Sequence, residues 1–328
     1  MQVETRLDPM STIASYYGVK KEKLYRNYKK KWSNFKTWDQ KPHAQEYLLY
    51  PQNISEQLAI DEVSLSKGEL YTFVTSKKHK SNSKKIVAVI NGTQAATIIN
   101  VLNKIDETKR NTVKEVSLDM ARNMELSVKT CFTNATLVVD RFHVSKLVID
   151  ALQHIRVKYR WEAIDKENEQ IKEAKSKGEK YTPHVLQNGD TLKELLARSR
   201  YLLYKTPNDW TENQRKRASI LFKEYPLLEK AYKLTLEFRA IYTNTNKENA
   251  NALLKQWIQK VKKSAINEFN SVANSLNYNI DNILNFFNNR STNANAESFN
   301  AKIKLFRANL RGVTDVNFFL FRLEKLFA

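Results

Sequence analysis

Between Gln57 and Asp140 short apolar runs rich in β-branched residues alternate with stretches of helical period, and that succession restricts the fold more than any other feature of the chain. Gln57-Leu-Ala-Ile-Asp61, Leu70-Tyr-Thr-Phe-Val-Thr75 and Lys85-Ile-Val-Ala-Val-Ile90 read as three consecutive strands. A tight turn at Ser66-Lys67-Gly68-Glu69 separates the first two, and a lysine- and serine-rich loop at 77–85 precedes the third. Ala95, Ile98, Ile99, Leu102 and Ile105 then fall at helical spacing, Val113 to Asp119 returns to strand, and Met124, Leu126, Val128 and Phe132 mark a second helix. Ala135 to Asp140 is a fifth strand, so the order is βββαβαβ and the expected class is α/β.

That order is the ribonuclease-H-like arrangement, in which the first and fourth strands are neighbours and bring Asp61 and Asp119 side by side. Two carboxylates so placed repel when both are ionised, which a divalent cation relieves, and hard oxygen ligands suit magnesium or manganese. A third carboxylate is available from Asn293-Ala-Asn-Ala-Glu297-Ser-Phe-Asn300-Ala-Lys302-Ile-Lys304. As a helix this segment carries Asn293, Glu297, Asn300 and Lys304 on a polar face and Phe299, Ile303, Phe306 and Leu310 on an apolar stripe. Glu297 would then complete a site for two metal ions. An isolated glutamate on such a helix is ordinarily just solvated, so its weight comes from Asp61 and Asp119.

The chain of 328 residues, 41% hydrophobic with 15 Phe, 15 Tyr and 5 Trp, is long and apolar enough to bury a core. A net charge of +20 points to a polyanionic partner, most simply nucleic acid. The single cysteine, Cys131, excludes an intrachain disulfide and any cysteine-built zinc site, and its apolar helical setting reads as core. No signal peptide and no run of about 18 apolar residues is found, so a soluble cytoplasmic protein is expected.

Ahead of the strands, residues 11–32 suggest a helix–turn–helix with Ala14 at the helix contact, Gly18 in the turn, and Ile13, Val19 and Leu24 as its small core. Its second helix carries Lys20, Lys21, Lys23 and Arg26, followed by Lys29, Lys30 and Lys31; a plain basic helical hairpin fits nearly as well. Pro42 and Pro51 bound a linker. From Val144 to about Asn285 long amphipathic helices follow, with one stripe at Val144, Leu147, Val148, Ala151, Leu152 and Ile155 and another at Leu192, Leu195, Leu196, Tyr201 and Leu202. The expected organisation is a basic arm and linker at 1–50, the first part of a catalytic core at 51–143, a helical insertion or separate helical domain at 144–285, and the Glu297 helix at 286–328.

The segments Leu58-Ala-Ile-Asp-Glu62, Ser117-Leu-Asp-Met120, Val138-Val-Asp-Arg-Phe-His-Val144 and Ser291 to Lys304 resemble, in order and spacing, the DDE-type transposases of bacterial insertion sequences. They look most like the ISL3 type and its IS-Aon-like group, over roughly residues 55 to 328. The resemblance implies that Asp61, Asp119 and Glu297 bind two Mg2+ or Mn2+ ions, and that the reaction cuts DNA at the element's ends and joins the exposed 3′-hydroxyl to target DNA. It also implies a homodimer on double-stranded DNA in the bacterial cytoplasm, associated with the nucleoid. Asp140-Arg141-Phe142-His143 resembles an Asp/Cys-x-x-His element of such families. His143 would position a strand or a flipped base or support Asp119 from behind, and a core histidine is the plain alternative. Asp140 is a substitute ligand for Asp119 that the strand order disfavours. Relatives of this type carry a zinc ribbon before the helix–turn–helix, and the absence of any Cys-x-x-Cys here suggests that the rest of the DNA-binding region is either truncated or separately encoded, in the second case as a further partner.

Lys302, Lys304, Arg307 and Arg311 follow Glu297 along its helix, and Arg290 precedes it, so phosphates entering the site would meet positive charge. Trp161, Trp210 and Trp257 could stack on bases, though packing in a helical domain is the commoner fate. Two other functions share these features: a catalytically silent DNA-binding relative, and a ribonuclease-H-like nuclease that cleaves without joining.

Overall fold

The computed structural model describes residues 2–66, 68–77, 85–290, 294–310, 313 and 315–328; the side chains of residues 66 and 294–296 lie outside that description. The chain divides into two compact units, Met1–Arg141 with Asn288–Ala328, and Phe142–Phe287.

The first unit is built on a six-stranded mixed sheet, β1 (Tyr47–Leu49), β2 (Gln57–Ser66), β3 (Glu69–Ser76), β4 (Ile86–Asn91), β5 (Glu115–Leu118) and β6 (Thr136–Val139), in the order β1-β4-β3-β2-β5-β6. β2, β3 and β4 form an antiparallel meander, whereas β5 runs parallel to β2 and β6 parallel to β5. The first and fourth of the strands expected from sequence are therefore neighbours. Gly68, at φ +85°, serves the turn between β2 and β3, a backbone region that a side chain disfavours. β1 was not anticipated: it occupies three residues of the stretch read as a linker and pairs antiparallel with β4 from Tyr47↔Ile90 to Leu49↔Ala88. So short a strand has no period of its own and exists because β4 offers an open edge.

The two faces of the sheet feed two separate cores. Leu58 and Ile60 of β2 join Val116 and Leu118 of β5, Leu137 of β6 and the helices Ala95–Leu102 and Arg122–Cys131. Cys131 is buried in this layer, and burial pushes its thiol up to about 11, so it is an inert core group. On the other face Val63 and Leu65 meet Phe299, Ile303 and Phe306 of the helix Ala294–Asn309, together with the helix Val316–Phe327 and the N-terminal segment. The period-2 alternation of β2 thus sends successive residues into different layers.

In the N-terminal segment the helices Met10–Tyr16 and Lys21–Asn27 are joined through Gly18 at φ +63°. Ile13, Ala14 and Leu24 are buried as expected, but Val19 is 42% exposed, and Val3 and Met10 supply the packing instead. A π-helical turn, Tyr28–Trp32, follows. This segment is tied to the C-terminal helices: Trp38 Nε1 and Tyr50 Oη donate to Glu324 at 2.5 and 2.6 Å, and Asn309 donates to the Leu7 carbonyl at 2.8 Å.

The second unit is helical, with no strand among its described residues. Its longest helix, Arg141–Ser176, starts in the first unit and buries Val144, Val148, Ala151, Leu152 and Ile155. Leu195, Leu196 and Leu202 are buried, but Tyr201 is 68% exposed, because the chain leaves helical geometry after Arg198 and the extrapolated stripe no longer applies. Asp190 is buried and held by Arg198 and by Arg217 at 3.2 Å. Among the described residues no helix is long and apolar enough to cross a membrane.

Candidate active site

Parallel pairing of β2 with β5 sets Leu58 beside Val116 and Ala59 beside Ser117. Continuing that register two residues brings Asp61 level with Asp119, just past the end of β5, and alternation keeps both on the face covered by the helix Ala294–Asn309. Pairing of β5 with β6 sets Leu118 beside Val139, so Asp140 comes level with Asp119 one strand further out; the Asp140 amide donates to the Leu118 carbonyl at 2.8 Å. Three aspartates therefore stand in a row across β2, β5 and β6.

The aspartates are held by different elements. Asp61 Oδ1 accepts from the Glu62 amide at 2.7 Å, and its Oδ2 accepts from Asn300 Nδ2. Asp119 Oδ1 accepts from the Ala121 amide at 3.0 Å. Asn300 is only 8% exposed, so it does not lie on an open polar face as helical period alone suggests; the helix presses it onto the sheet, where it contacts Asp61. Glu297 is in the first turn of the same helix, three residues ahead of Asn300 and on the same side, and it is half-buried.

Glu62 is a fourth acidic group, which sequence reasoning missed. Burial pushes its carboxyl up, the charges of Asp119 and Asp61 push it further, and a hydrogen bond with the Asn123 side chain acts in the opposite sense. Asp119 and Asp61 are thus close enough to Glu62 for their charges to raise its carboxyl. The signal was present in Asp61-Glu62, but alternation assigns adjacent strand residues to opposite faces, which hid that both come near Asp119, just past the end of β5.

The basic residues separate by exposure. Lys20, Lys21, Lys23 and Arg26 are exposed on or beside the helix Lys21–Asn27, and Arg290 and Lys304 are exposed near the acidic group's helix. Lys302 is half-buried, and Arg307 donates to the Ser64 carbonyl of β2 at 2.9 Å, so Arg307 fastens the helix to the sheet. Asn293 and Arg311 lie outside the described residues. Arg141 is exposed at the start of its helix, and His143, half-buried in the second unit, meets the Phe142 ring edge-on at 5.6 Å. Trp257 is buried with its Nε1 donating to the Leu234 carbonyl, and Trp210 stacks on Tyr232, so both pack within the helical unit; Trp161 is 61% exposed.

The family model for transposases of the DDE, ISL3 type matches residues 58–323, from the strand that carries Asp61 to the last helix. The chain belongs to the ISL3-type DDE transposases. A transposase for insertion sequence element IS1001 from Bordetella parapertussis is 22% identical over 273 residues, which cover 83% of this chain and 61% of that one. The chain thus spans about 61% of the length of that relative. The Drosophila P element transposase, solved in its strand transfer complex, aligns with 93% of this chain and 84% of its own chain at 13% identity and a TM-score of 0.38.

Among the described residues of the transposase, no three His, Cys, Asp or Glu side chains are close enough to hold a metal ion as they stand. The chemistry of the donor set nevertheless fits a hard divalent cation. Asp61 and Asp119 offer carboxylate oxygens on one face, and the mutual repulsion felt at Glu62 is what a bound cation would relieve.

Proposed function

We propose that this transposase cuts DNA at the ends of an insertion sequence and joins the resulting 3′-hydroxyl to target DNA, using Asp61, Asp119 and Glu297 as ligands for two Mg2+ or Mn2+ ions on a ribonuclease-H-like core. The observation that carries the reading is the register that sets Asp61 level with Asp119, within a chain matched by the family model from residue 58 to 323. When bound, such ions supply activation of the attacking oxygen and stabilisation of the leaving one.

The protein's own part is orientation. Asn300 and the Glu62 amide each satisfy one oxygen of Asp61, and the Ala121 amide satisfies one of Asp119, so both carboxylates are fixed in rotation. Glu297 is carried by a helix that Phe299, Ile303 and Phe306 anchor in the core, which supports its role as the third ligand. Exposed Lys304 and Arg290 meet the phosphate backbone near the acidic group, and Lys20, Lys21, Lys23 and Arg26 contact it along a helix–turn–helix-like arm. Asp140, Arg141 and His143 act as auxiliary groups, and the helical unit is an insertion in the catalytic core. Synapsis of two DNA ends calls for a homodimer, working on nucleoid DNA in the cytoplasm.

The test is a manganese-dependent cleavage and strand-transfer assay on DNA bearing the terminal sequences that flank the gene. Native protein should yield joined products, while Asp61→Asn, Asp119→Asn and Glu297→Gln should yield none and still bind DNA. Cleavage without joining would replace the transposase reaction with nuclease activity, and cleavage by any of the three variants would remove that residue from the ligand set.

A further inference from the structure

A cavity of about 360 Å³ lies in the first unit between four helices and is lined in part by Met10, Lys21, Tyr25, Leu310, Phe318 and Arg322. Its volume is within the range of small-molecule sites, and its walls combine apolar side chains with two cations. It lies on residues with no part in the acidic site.

Arg322 sets its chemistry. This residue is 1% exposed, its Nη2 donates to the Val3 carbonyl at 2.7 Å and the Arg6 carbonyl at 3.4 Å, and its guanidinium lies 4.9 Å from the centre of the Phe306 ring. Its Nε and Nη1 are buried and have no hydrogen-bond acceptor among the described residues. Leaving N–H groups of a buried cation unmatched is costly, and a buried charge is normally paired. Of the acidic groups nearby, Glu4 lends Arg322 a favourable charge while accepting from Tyr28 Oη at 3.2 Å, and Asp315, in the cavity wall, is bound to Lys29 and to the Phe318 amide; neither accepts a hydrogen bond from Arg322 Nε or Nη1. The pocket's remaining wall mixes apolar side chains with Ser11, Lys21, Tyr25 and Asn309.

We propose that this cavity binds a small organic carboxylate with an apolar body, its carboxylate meeting Arg322 and its body packing among Met10, Leu310 and Phe318. A planar guanidinium matches a planar carboxylate, and the nearby Asp315 disfavours a doubly charged phosphate. Because the walls come from both the N-terminal helices and the two C-terminal helices, bound ligand braces these elements together.

The probe is 4-phenylbutyrate, titrated calorimetrically into the full chain beside its neutral analogue 4-phenylbutanol and inorganic phosphate. One phenylbutyrate per chain is expected, with phenylbutanol about tenfold weaker or more, as loss of a charge-assisted hydrogen bond implies. Arg322→Met should remove the preference for the acid. If that variant fails to fold by circular dichroism, Leu310→Trp decides, since it fills the cavity and leaves Arg322 in place; it should abolish binding. Equal binding of acid and alcohol, tighter binding of phosphate, no phenylbutyrate heat at millimolar concentration, or unchanged binding in Leu310→Trp would each overturn the proposal.

Discussion

Asn300 shows how a single amide ties distant parts of the chain to one chemistry. It is a contact through which the helix Ala294–Asn309 reaches Asp61 on β2, and it holds Oδ2 while the Glu62 amide holds Oδ1. Groups that orient ligands in this way typically cost about 10- to 100-fold in metal affinity or activity when removed. Asn300→Ala is therefore expected to lower the rate of DNA-end cleavage by roughly that factor with DNA binding unchanged, measured under single-turnover conditions. Glu62 supports a prediction of opposite sign. Its carboxyl is pushed up by burial and by Asp119 and Asp61, so the folded protein carries a repulsion that the unfolded chain lacks. Glu62→Gln should raise the melting temperature in metal-free buffer at neutral pH, and an unchanged or lower value would show that the three carboxylates do not repel there.

Among the elements, the helix Val316–Phe327 has a defined start that can be tested alone. Asp315 is its N-cap, accepting from the Phe318 amide at 3.0 Å, and it is also bound to Lys29 of the N-terminal segment. Burial alone would raise the Asp315 carboxyl, but these hydrogen bonds and the charges of Lys29 and Lys41 hold it below its ordinary range. Its stabilisation is therefore present above the unfolded carboxylate range near 3.8 and is lost as pH falls through the lower folded value. Asp315→Ala should lose about 1 kcal/mol in urea unfolding at pH 7, with a smaller difference from native protein once the buffer is acidic enough to protonate the carboxyl. The same element scale shows where sequence periodicity stops. β2 and the helix Ala294–Asn309 have patterns long enough to read, whereas β1 has three residues and takes its place only from the open edge of β4.

At the scale of the whole molecule, the net charge of +20 gives an expectation that concerns no single residue. Affinity for duplex DNA should fall steeply with salt, because each phosphate neutralised releases counterions. If the exposed Lys20, Lys21, Lys23 and Arg26 contact phosphates, replacing all four by alanine should reduce the slope of log K against log salt by about 0.9 for each phosphate that is no longer neutralised. An unchanged slope would place the DNA on another face of the protein.

Sequence alone determined the order of strands β2 to β6 with the two longer helices among them, the helical nature of the second unit, and the position of Asp61, Asp119 and Glu297 on or beside regular elements. Those properties depend on side-chain period and composition, which are local. Tertiary structure decided what proximity requires. The parallel register brought Asp61 level with Asp119; the packing of Phe299, Ile303 and Phe306 turned Asn300 inward; and the end of β5 beside the middle of β2 brought Asp119 close enough to act on Glu62. Arg307 likewise became a fastening to β2, and Arg322 became a buried cation between the two ends of the chain. None of these could be read from spacing, because each depends on which residues separated by tens or hundreds of positions come to share one face.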